Sequence, residues 1–165
     1  MTEGIAGRPR PLATILGGGL VAGLLDGLDA IVYFAGIKGG TVGGIFHYIA
    51  SGLIGPGSFQ GGWPTFWLGV LLHFTVAFGA ATAYYLGCRW LPRLYRQPLV
   101  WGPLFGIAVY LVMYHIVVPL SRVPKRPHPF SLPDFVNEMI AHTIFVGLPI
   151  ALAAYTSSRR AAKSG

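Results

Sequence analysis

The sequence is poor in charge, and especially in acidic residues. Only 10% of its 165 residues are charged and five are acidic, whereas 53% are hydrophobic and the mean hydropathy is +0.60. This composition excludes a soluble globular domain and indicates an integral membrane protein. The single cysteine, Cys88, cannot form an internal disulfide. The chain also has no phosphate-binding loop, no Cys-x-x-Cys pair, no nucleophile elbow and no Ser-His-Asp order, which argues against an enzyme without excluding one.

Long apolar stretches dominate what is present. A hydrocarbon core of roughly 30 Å takes about 20 helical residues to cross, and four stretches are long enough: Leu12–Ile37, Thr65–Gly87, Leu99–Leu120 and Phe135–Tyr155. We therefore predict an all-α membrane protein, with one bundle of four transmembrane helices over residues 12–157 and loose polar tails at residues 1–11 and 158–165. Val42–Ile54, in the first outer loop, is apolar but too short to span, which predicts a short interfacial or re-entrant helix. The short connection at residues 90–98 predicts that spans two and three are antiparallel neighbours.

The basic residues are distributed unevenly between the two sides of this bundle. Eight lie before span one, between spans two and three, or after span four: Arg8, Arg10, Arg89, Arg93, Arg96, Arg159, Arg160 and Lys163. Four lie in the other loops: Lys38, Arg122, Lys125 and Arg126. The positive-inside rule then predicts a multi-pass protein of the bacterial inner membrane with both termini in the cytoplasm. Topology and attraction to anionic lipid account for the +7 charge, so the lipid bilayer is the expected partner and nucleic acid is not.

Six titratable residues fall inside or at the mouth of the predicted spans: Asp26, Asp29, His73, His115, Glu138 and His142. At about 1.5 Å per helical residue, Asp29 and the three histidines lie roughly 8–12 Å below the outer surface. Glu138 is shallower, and Asp26 is nearer the midplane. Ionisable groups are expensive in a bilayer, so they normally face a protein interior and often mark function. The outer half of the bundle is therefore the candidate site.

Helical periodicity predicts which way these residues face. Gly19, Gly23 and Gly27 form a GxxxGxxxG stripe that permits close helix packing, with Asp26 within it and Asp29 beside it. In span two, the face that contains His73 also contains small residues and one tyrosine: Gly69, Ala77, Ala80 and Tyr84. Glu138 and His142 form an i,i+4 pair, which can hydrogen-bond or hold one ion.

Several functions fit this polar layer. The layer could simply fix helix register; the leading functional hypothesis is a carboxylate–histidine site that responds to protons or a cation. No cofactor is favoured. The alternatives are a single haem held by His73 and His142, or a divalent metal held by these two histidines with Glu138. A different class is a structural or accessory subunit of a larger membrane complex, or a homo-oligomer, in which the glycine stripe packs against a foreign helix.

Four short segments resemble small four-span bacterial inner-membrane proteins of the YagU-like family. They are ASGLIG at Ala50–Gly55, LGVLLHF at Leu68–Phe74, VPL at Val118–Leu120 and NEMIAH at Asn137–His142. The resemblance covers most of residues 12–155 and implies that His73, Glu138 and His142 occupy the characteristic polar positions of the family. The first outer loop is shorter here than in the YagU-like proteins. The family has no established molecular activity, so the resemblance implies a fold and a location but no mechanism.

Overall fold

The computed structural model describes residues 7–124 and 131–163, and all regular secondary structure in these ranges is helical. Four helices are long and apolar enough to cross a membrane: α1 (Ala13–Ile37), α3 (Gly62–Trp90), α4 (Pro98–Leu120) and α5 (Leu132–Ala162). The shorter α2 (Val42–Ile54) lies between α1 and α3. A 3₁₀ turn at Pro56–Gln60 follows α2, and one helical turn at Arg93–Arg96 joins α3 to α4. The predicted fold class is confirmed.

The last helix is longer than predicted. It begins three residues earlier, at Leu132, and continues beyond the predicted end at Tyr155. Ser157 and Ser158 are buried, and their hydroxyl groups donate to carbonyl oxygens three residues earlier, at 3.0 and 2.7 Å. Because these hydroxyl groups are satisfied within the helix, the polar sequence does not end it. Residues 158–162, expected as part of a loose tail, are therefore helical.

Large apolar side chains cover the outside of the bundle. Leu28, Val32 and Leu71 are 56%, 61% and 63% exposed, and Trp63 and Trp90, near opposite ends of α3, are 71% and 87% exposed. Soluble monomers rarely expose continuous apolar surface on this scale. Tryptophans near both ends are typical of the two membrane–water interfaces. These features support a multi-pass integral membrane protein in contact with the lipid bilayer.

The glycine stripe of α1 packs against α3. A Cβ atom at Gly23 would lie 2.7 Å from the Phe74 ring, and one at Gly27 would lie 3.3 Å from the His73 imidazole. The stripe also continues to Gly19, which faces Phe78. Small residues let helices approach closely in a membrane, and here they make room for the bulky side chains of α3.

A second glycine contact joins α4 to α5. Gly106 lies against the backbone at His142 and Thr143, and Gly147 lies against the backbone at Gly102 and Gly106. Consequently α4 packs along α5. Spans two and three, predicted to be neighbours, meet through the rings of Tyr84 and Phe105, whose centroids are 4.9 Å apart. However, α3 packs mainly along α1 and α2.

The two ends of the bundle differ in charge and in packing. The arginine end contains the start of α1, the α3–α4 turn and the end of α5, with seven described arginines: Arg8, Arg10, Arg89, Arg93, Arg96, Arg159 and Arg160. The buried apolar core is formed by small, branched aliphatic and aromatic residues: Ala22, Ala81, Tyr84, Cys88, Tyr95, Val146, Ile150, Ala151 and Ala154. At the opposite end, Lys38 and Arg122 are described, whereas Lys125 and Arg126 lie outside the described residues.

At this opposite end α2 covers the bundle, and we call it the capped end. The Thr41 side chain caps α2 by accepting from the Gly44 N–H at 2.9 Å. Gly69 of α3 leaves room for the backbone of α2 at Phe46. The Arg122 N–H donates to the Gly52 carbonyl oxygen at 2.9 Å. The predicted short helix therefore exists and is held to α3 and to the segment after α4.

Helices α4 and α5 each contain a π-helical segment two residues before a proline. The segment Met113–Val117 precedes Pro119, and Ala141–Gly147 precedes Pro149. Proline lacks an N–H and its ring clashes with the carbonyl four residues earlier, and a wider turn relieves that clash. A third π-helical segment, Ile31–Ile37, ends α1. His115, His142 and Tyr33 lie in these segments, so their facing differs from that of an ideal α-helix.

Candidate functional site: a polar cluster at the capped end

Polar side chains of α1 and α5 bond to each other near the capped end. The Asn137 amide donates to the Asp29 carboxylate at 2.9 Å. The Tyr33 hydroxyl donates to the Asp134 carboxylate at 2.7 Å. The Lys38 ammonium group lies 3.0 Å from the same carboxylate oxygen. Two carboxylates on two helices are thus tied across one interface.

The start of α5 is built to present these groups. Ser131 is the N-cap, and its hydroxyl oxygen accepts a hydrogen bond from the Asp134 N–H at 3.4 Å. Asp134 lies in the first turn, where the helix dipole favours a negative charge. Asn137 and Glu138 follow at spacings of three and four residues, which places all three on one face of the helix.

His73 connects α3 to α1. Its Nε2 lies 2.8 Å from the Gly23 carbonyl oxygen. Since a carbonyl only accepts, Nε2 must carry the proton and donate. Its Nδ1 lies 3.9 Å from the Asp26 carboxylate, which is too long for a hydrogen bond but close for a charge interaction if the ring is protonated. The His73 side chain is only 12% exposed, so this pair lies inside the bundle.

Glu138 interacts electrostatically with several of these groups. Its carboxylate interacts electrostatically with Asp26, Asp134 and His142. Three tyrosines on three other helices interact with it as well: Tyr33 on α1, Tyr48 on α2 and Tyr110 on α4. Among the described residues, no donor lies within hydrogen-bonding distance of its side chain. Because the side chain is only partly buried, its carboxylate is accessible to a proton.

His142 lies one turn below Glu138. Its Nδ1 lies 2.8 Å from the Glu138 carbonyl oxygen and therefore donates to it. The ring packs edge-on against Tyr110, with centroids 5.5 Å apart. In the predicted i,i+4 pair, His142 thus bonds to the backbone carbonyl of Glu138 and not to its carboxylate. The Glu138 carboxylate and the His142 Nε2 take no part in this bond.

We call this set the capped-end cluster: Asp26, Asp29, Tyr33, Lys38, His73, Asp134, Asn137, Glu138 and His142. Five of the six candidates from the sequence lie in it. The exception is His115, which is exposed on α4 and packs edge-on against the Tyr114 ring at 5.1 Å. His115 therefore lies outside the cluster, although residue counting groups it with the other candidates.

The sequence reasoning missed four members of the cluster: Tyr33, Lys38, Asp134 and Asn137. Asp134 and Asn137 share a helical face with Glu138, and this spacing could have identified them. Tyr33 lies four residues after Asp29, which could have been noticed in the same way. Lys38 was considered only as a topological charge, and its distance of 3.0 Å from Asp134 depends on tertiary structure.

The donor arrangement does not suit a metal ion. No group of three or more His, Cys, Asp or Glu side chains within residues 7–124 and 131–163 is arranged to hold one. A haem or metal at His73 would need Nε2, which instead donates to Gly23, or Nδ1, which faces Asp26. Coordination by His73 would thus require either the loss of the Gly23 bond or displacement of the Asp26 carboxylate.

Comparison of the chain with protein-family models, curated proteins and solved structures finds no match. The resemblance to YagU-like proteins stays a prediction. The geometry of the capped-end cluster is therefore the basis on which function is inferred.

Proposed function

We propose that this integral membrane protein is pH-responsive: the capped-end cluster exchanges protons with the adjacent aqueous phase and so controls how α5 packs against α1. The observation that carries the proposal is the position of Glu138. Its carboxylate has no hydrogen-bond donor among the described residues, yet it interacts electrostatically with titratable groups of α1, α2, α4 and α5.

The charge balance of the cluster supplies the mechanism. Four carboxylates, those of Asp26, Asp29, Asp134 and Glu138, are accompanied by one permanent cation, Lys38. Like charges in a medium of low dielectric constant repel strongly. A proton on Glu138 removes one of the negative charges that face each other across the α1–α5 interface. This loss of charge favours closer packing of α1 and α5 at acidic pH.

We further propose that the protein resides in the bacterial inner membrane with the arginine end in the cytoplasm. Seven described arginines lie at that end, against Lys38 and Arg122 at the capped end, which is the bias that the positive-inside rule describes. The capped-end cluster would then face the periplasm. The YagU-like resemblance is consistent with this location.

The rival proposal, an accessory subunit that binds a foreign helix through the glycine stripe, has less support. Gly19, Gly23 and Gly27 face Phe78, Phe74 and His73 of the same chain. The stripe is therefore occupied within the bundle, and it does not favour a docking partner or a homo-oligomer.

A distance measurement tests the proposed pH response. Spin labels at Val32 and Ile140, which are 61% and 48% exposed near the capped end of α1 and α5, report the separation of these helices in nanodiscs, with Cys88 replaced by serine. Labels at Leu20 and Leu152 report the arginine end as a reference. We expect the capped-end distance to shorten on acidification and the reference distance to stay constant.

Matched variants identify the groups responsible. Glu138→Gln should abolish the change in the capped-end distance, and His142→Gln should reduce it. His115→Gln removes a histidine outside the cluster and should leave the response intact. A capped-end distance that does not depend on pH in the unsubstituted cluster would refute the proposal, as would an unaltered response in Glu138→Gln.

A further inference from the structure

An apolar groove with basic residues at its mouth runs between α1 and α5 at the arginine end, away from the capped-end cluster. Its volume is about 560 Å³. Residues of α1 and of the segment before it form one wall: Arg10, Ala13, Gly17, Val21 and Leu25. Residues of α5 form the other: Leu148, Pro149, Leu152, Ala153, Thr156, Ser157 and Arg160. None of these twelve side chains is acidic.

Small residues and two hydrogen bonds give the groove its shape. Thr14 and Ser157 bond through their hydroxyl groups at 3.0 Å; Thr14 is buried behind the groove, and Ser157 lines it. The Arg10 N–H donates to the Ser157 hydroxyl oxygen at 3.3 Å, which fixes the backbone of Arg10 against α5. Gly17 leaves a gap, because nothing lies within 4 Å of the position its Cβ would occupy. The helices are thus joined at the back of the groove and open toward the lipid.

We infer that this groove binds an anionic phospholipid, with its phosphate between Arg10 and Arg160 and an acyl chain along Gly17, Val21 and Leu25. Both arginines are exposed at the mouth, where a guanidinium group can bind phosphate oxygens in a bidentate manner. Basic pockets between transmembrane helices are known to suit anionic headgroups.

The length and polarity of the groove favour a lipid over a soluble anion. Fifteen residues separate Arg10 from Leu25, about 22 Å along a helix, which exceeds half of a hydrocarbon core of roughly 30 Å. One leaflet's acyl chain can therefore lie along it. A soluble phosphate would need only the two arginines and would gain nothing from the apolar walls.

Native mass spectrometry of the detergent-solubilised protein with added phosphatidylglycerol or phosphatidylcholine tests the headgroup contact. The unaltered protein should retain phosphatidylglycerol preferentially. Arg10→Gln/Arg160→Gln should lower that preference on the order of 30-fold, taking about fivefold for each basic residue near an anionic surface. The control Arg89→Gln/Arg96→Gln removes two exposed arginines from the same end but outside the groove, and it should retain the preference.

A second variant tests the acyl-chain contact without changing charge. Gly17→Leu fills the groove and should reduce the binding of both lipids. Gly79→Leu adds the same side chain at an open position on a different helix, α3, and should not reduce it. Glycerol phosphate, which has the headgroup anion but no acyl chain, should fail to displace the bound lipid. Equal lipid preference in the two arginine pairs, unchanged binding in Gly17→Leu, or full displacement by glycerol phosphate would each overturn the inference.

Discussion

Substitution of Gly106 by alanine should destabilise the bundle at the contact that orients His142. A Cβ atom there would lie 2.7 Å from the Thr143 Cα and closer still to the His142 carbonyl oxygen, whereas ordinary Cβ contacts are 3.4–4 Å. Both neighbours are backbone atoms, so no side chain can rotate away. The two helices must therefore separate by roughly 0.7 Å or more at this point, from 2.7 to at least 3.4 Å.

The cost follows from the packing around that contact. Gly147 lies against the backbone at Gly102 and Gly106, so a separation at Gly106 also opens the neighbouring contact. A gap of 0.5–1 Å already loses about a quarter to a half of each dispersion contact. Insertion of an extra methyl group into a tight core typically costs about 1–3 kcal/mol. We expect the free energy of unfolding to fall by that amount.

Unfolding in mixed micelles, by titration of a denaturing detergent into the purified protein, measures this difference. Gly79→Ala is the control, because it adds the same methyl group at a helix position with nothing within 4 Å. It should not lower the free energy of unfolding, because alanine is more favourable than glycine inside a helix by about 0.5–1 kcal/mol. If Gly106→Ala is as stable as Gly79→Ala, the close α4–α5 contact is not part of the folded protein.

Four further substitutions test three other contacts. Thr14→Val and Ser157→Ala, combined in a double-mutant cycle, should show a coupling of about 0.6 kcal/mol, the average for hydrogen bonds between transmembrane helices. Lys38→Gln should cost less than about 1 kcal/mol of unfolding free energy, because its ion pair with Asp134 is partly exposed. Gly69→Ala should loosen α2 from α3, since its methyl group would overlap the backbone of α2, and should raise the rate of proteolysis in residues 38–61 about fivefold or more.

Each of these has a control within the chain. Thr82→Val removes a hydroxyl group that bonds only to its own helix, at Phe78, and should show no coupling to Ser157. Arg122→Gln removes a basic residue from the capped end outside the cluster. Gly79→Ala is again the control, here for Gly69→Ala. A coupling of zero between Thr14 and Ser157, a loss well above 1 kcal/mol in Lys38→Gln, or unchanged proteolysis in Gly69→Ala would contradict the respective contact.

The sequence predicted the four spans and the existence of α2 because both depend on local composition. It did not predict the end of α5, because serines normally suggest a boundary, whereas Ser157 and Ser158 bond back to their own helix. The packing of α4 along α5 was also missed, because the short connection between α3 and α4 suggested that these two helices pack against each other. The glycines between α4 and α5 contact backbone atoms, and such contacts leave no pattern of apolar residues in the sequence.

Residue counting along the helices grouped most of the cluster but could not give every side-chain direction. Counting residues placed Asp29, His73, Glu138 and His142 near one another, and the structure brings them into one cluster. The same counting placed His115 with them, yet it is exposed on α4. His115 lies in the π-helical segment Met113–Val117, where the spacing of 3.6 residues per turn no longer gives the direction of a side chain. Specific pairs such as Tyr33 with Asp134 depend on how two helices meet, which one sequence does not specify.

The most direct test of the account is infrared difference spectroscopy of the protein in nanodiscs, between neutral and acidic pH, for the unaltered chain and for Glu138→Gln. We expect acidification to produce a protonated-carboxyl band that Glu138→Gln loses in part and His115→Gln retains in full. An identical band in Glu138→Gln and the unaltered protein would contradict the assignment of Glu138 as the proton-binding group of the capped-end cluster.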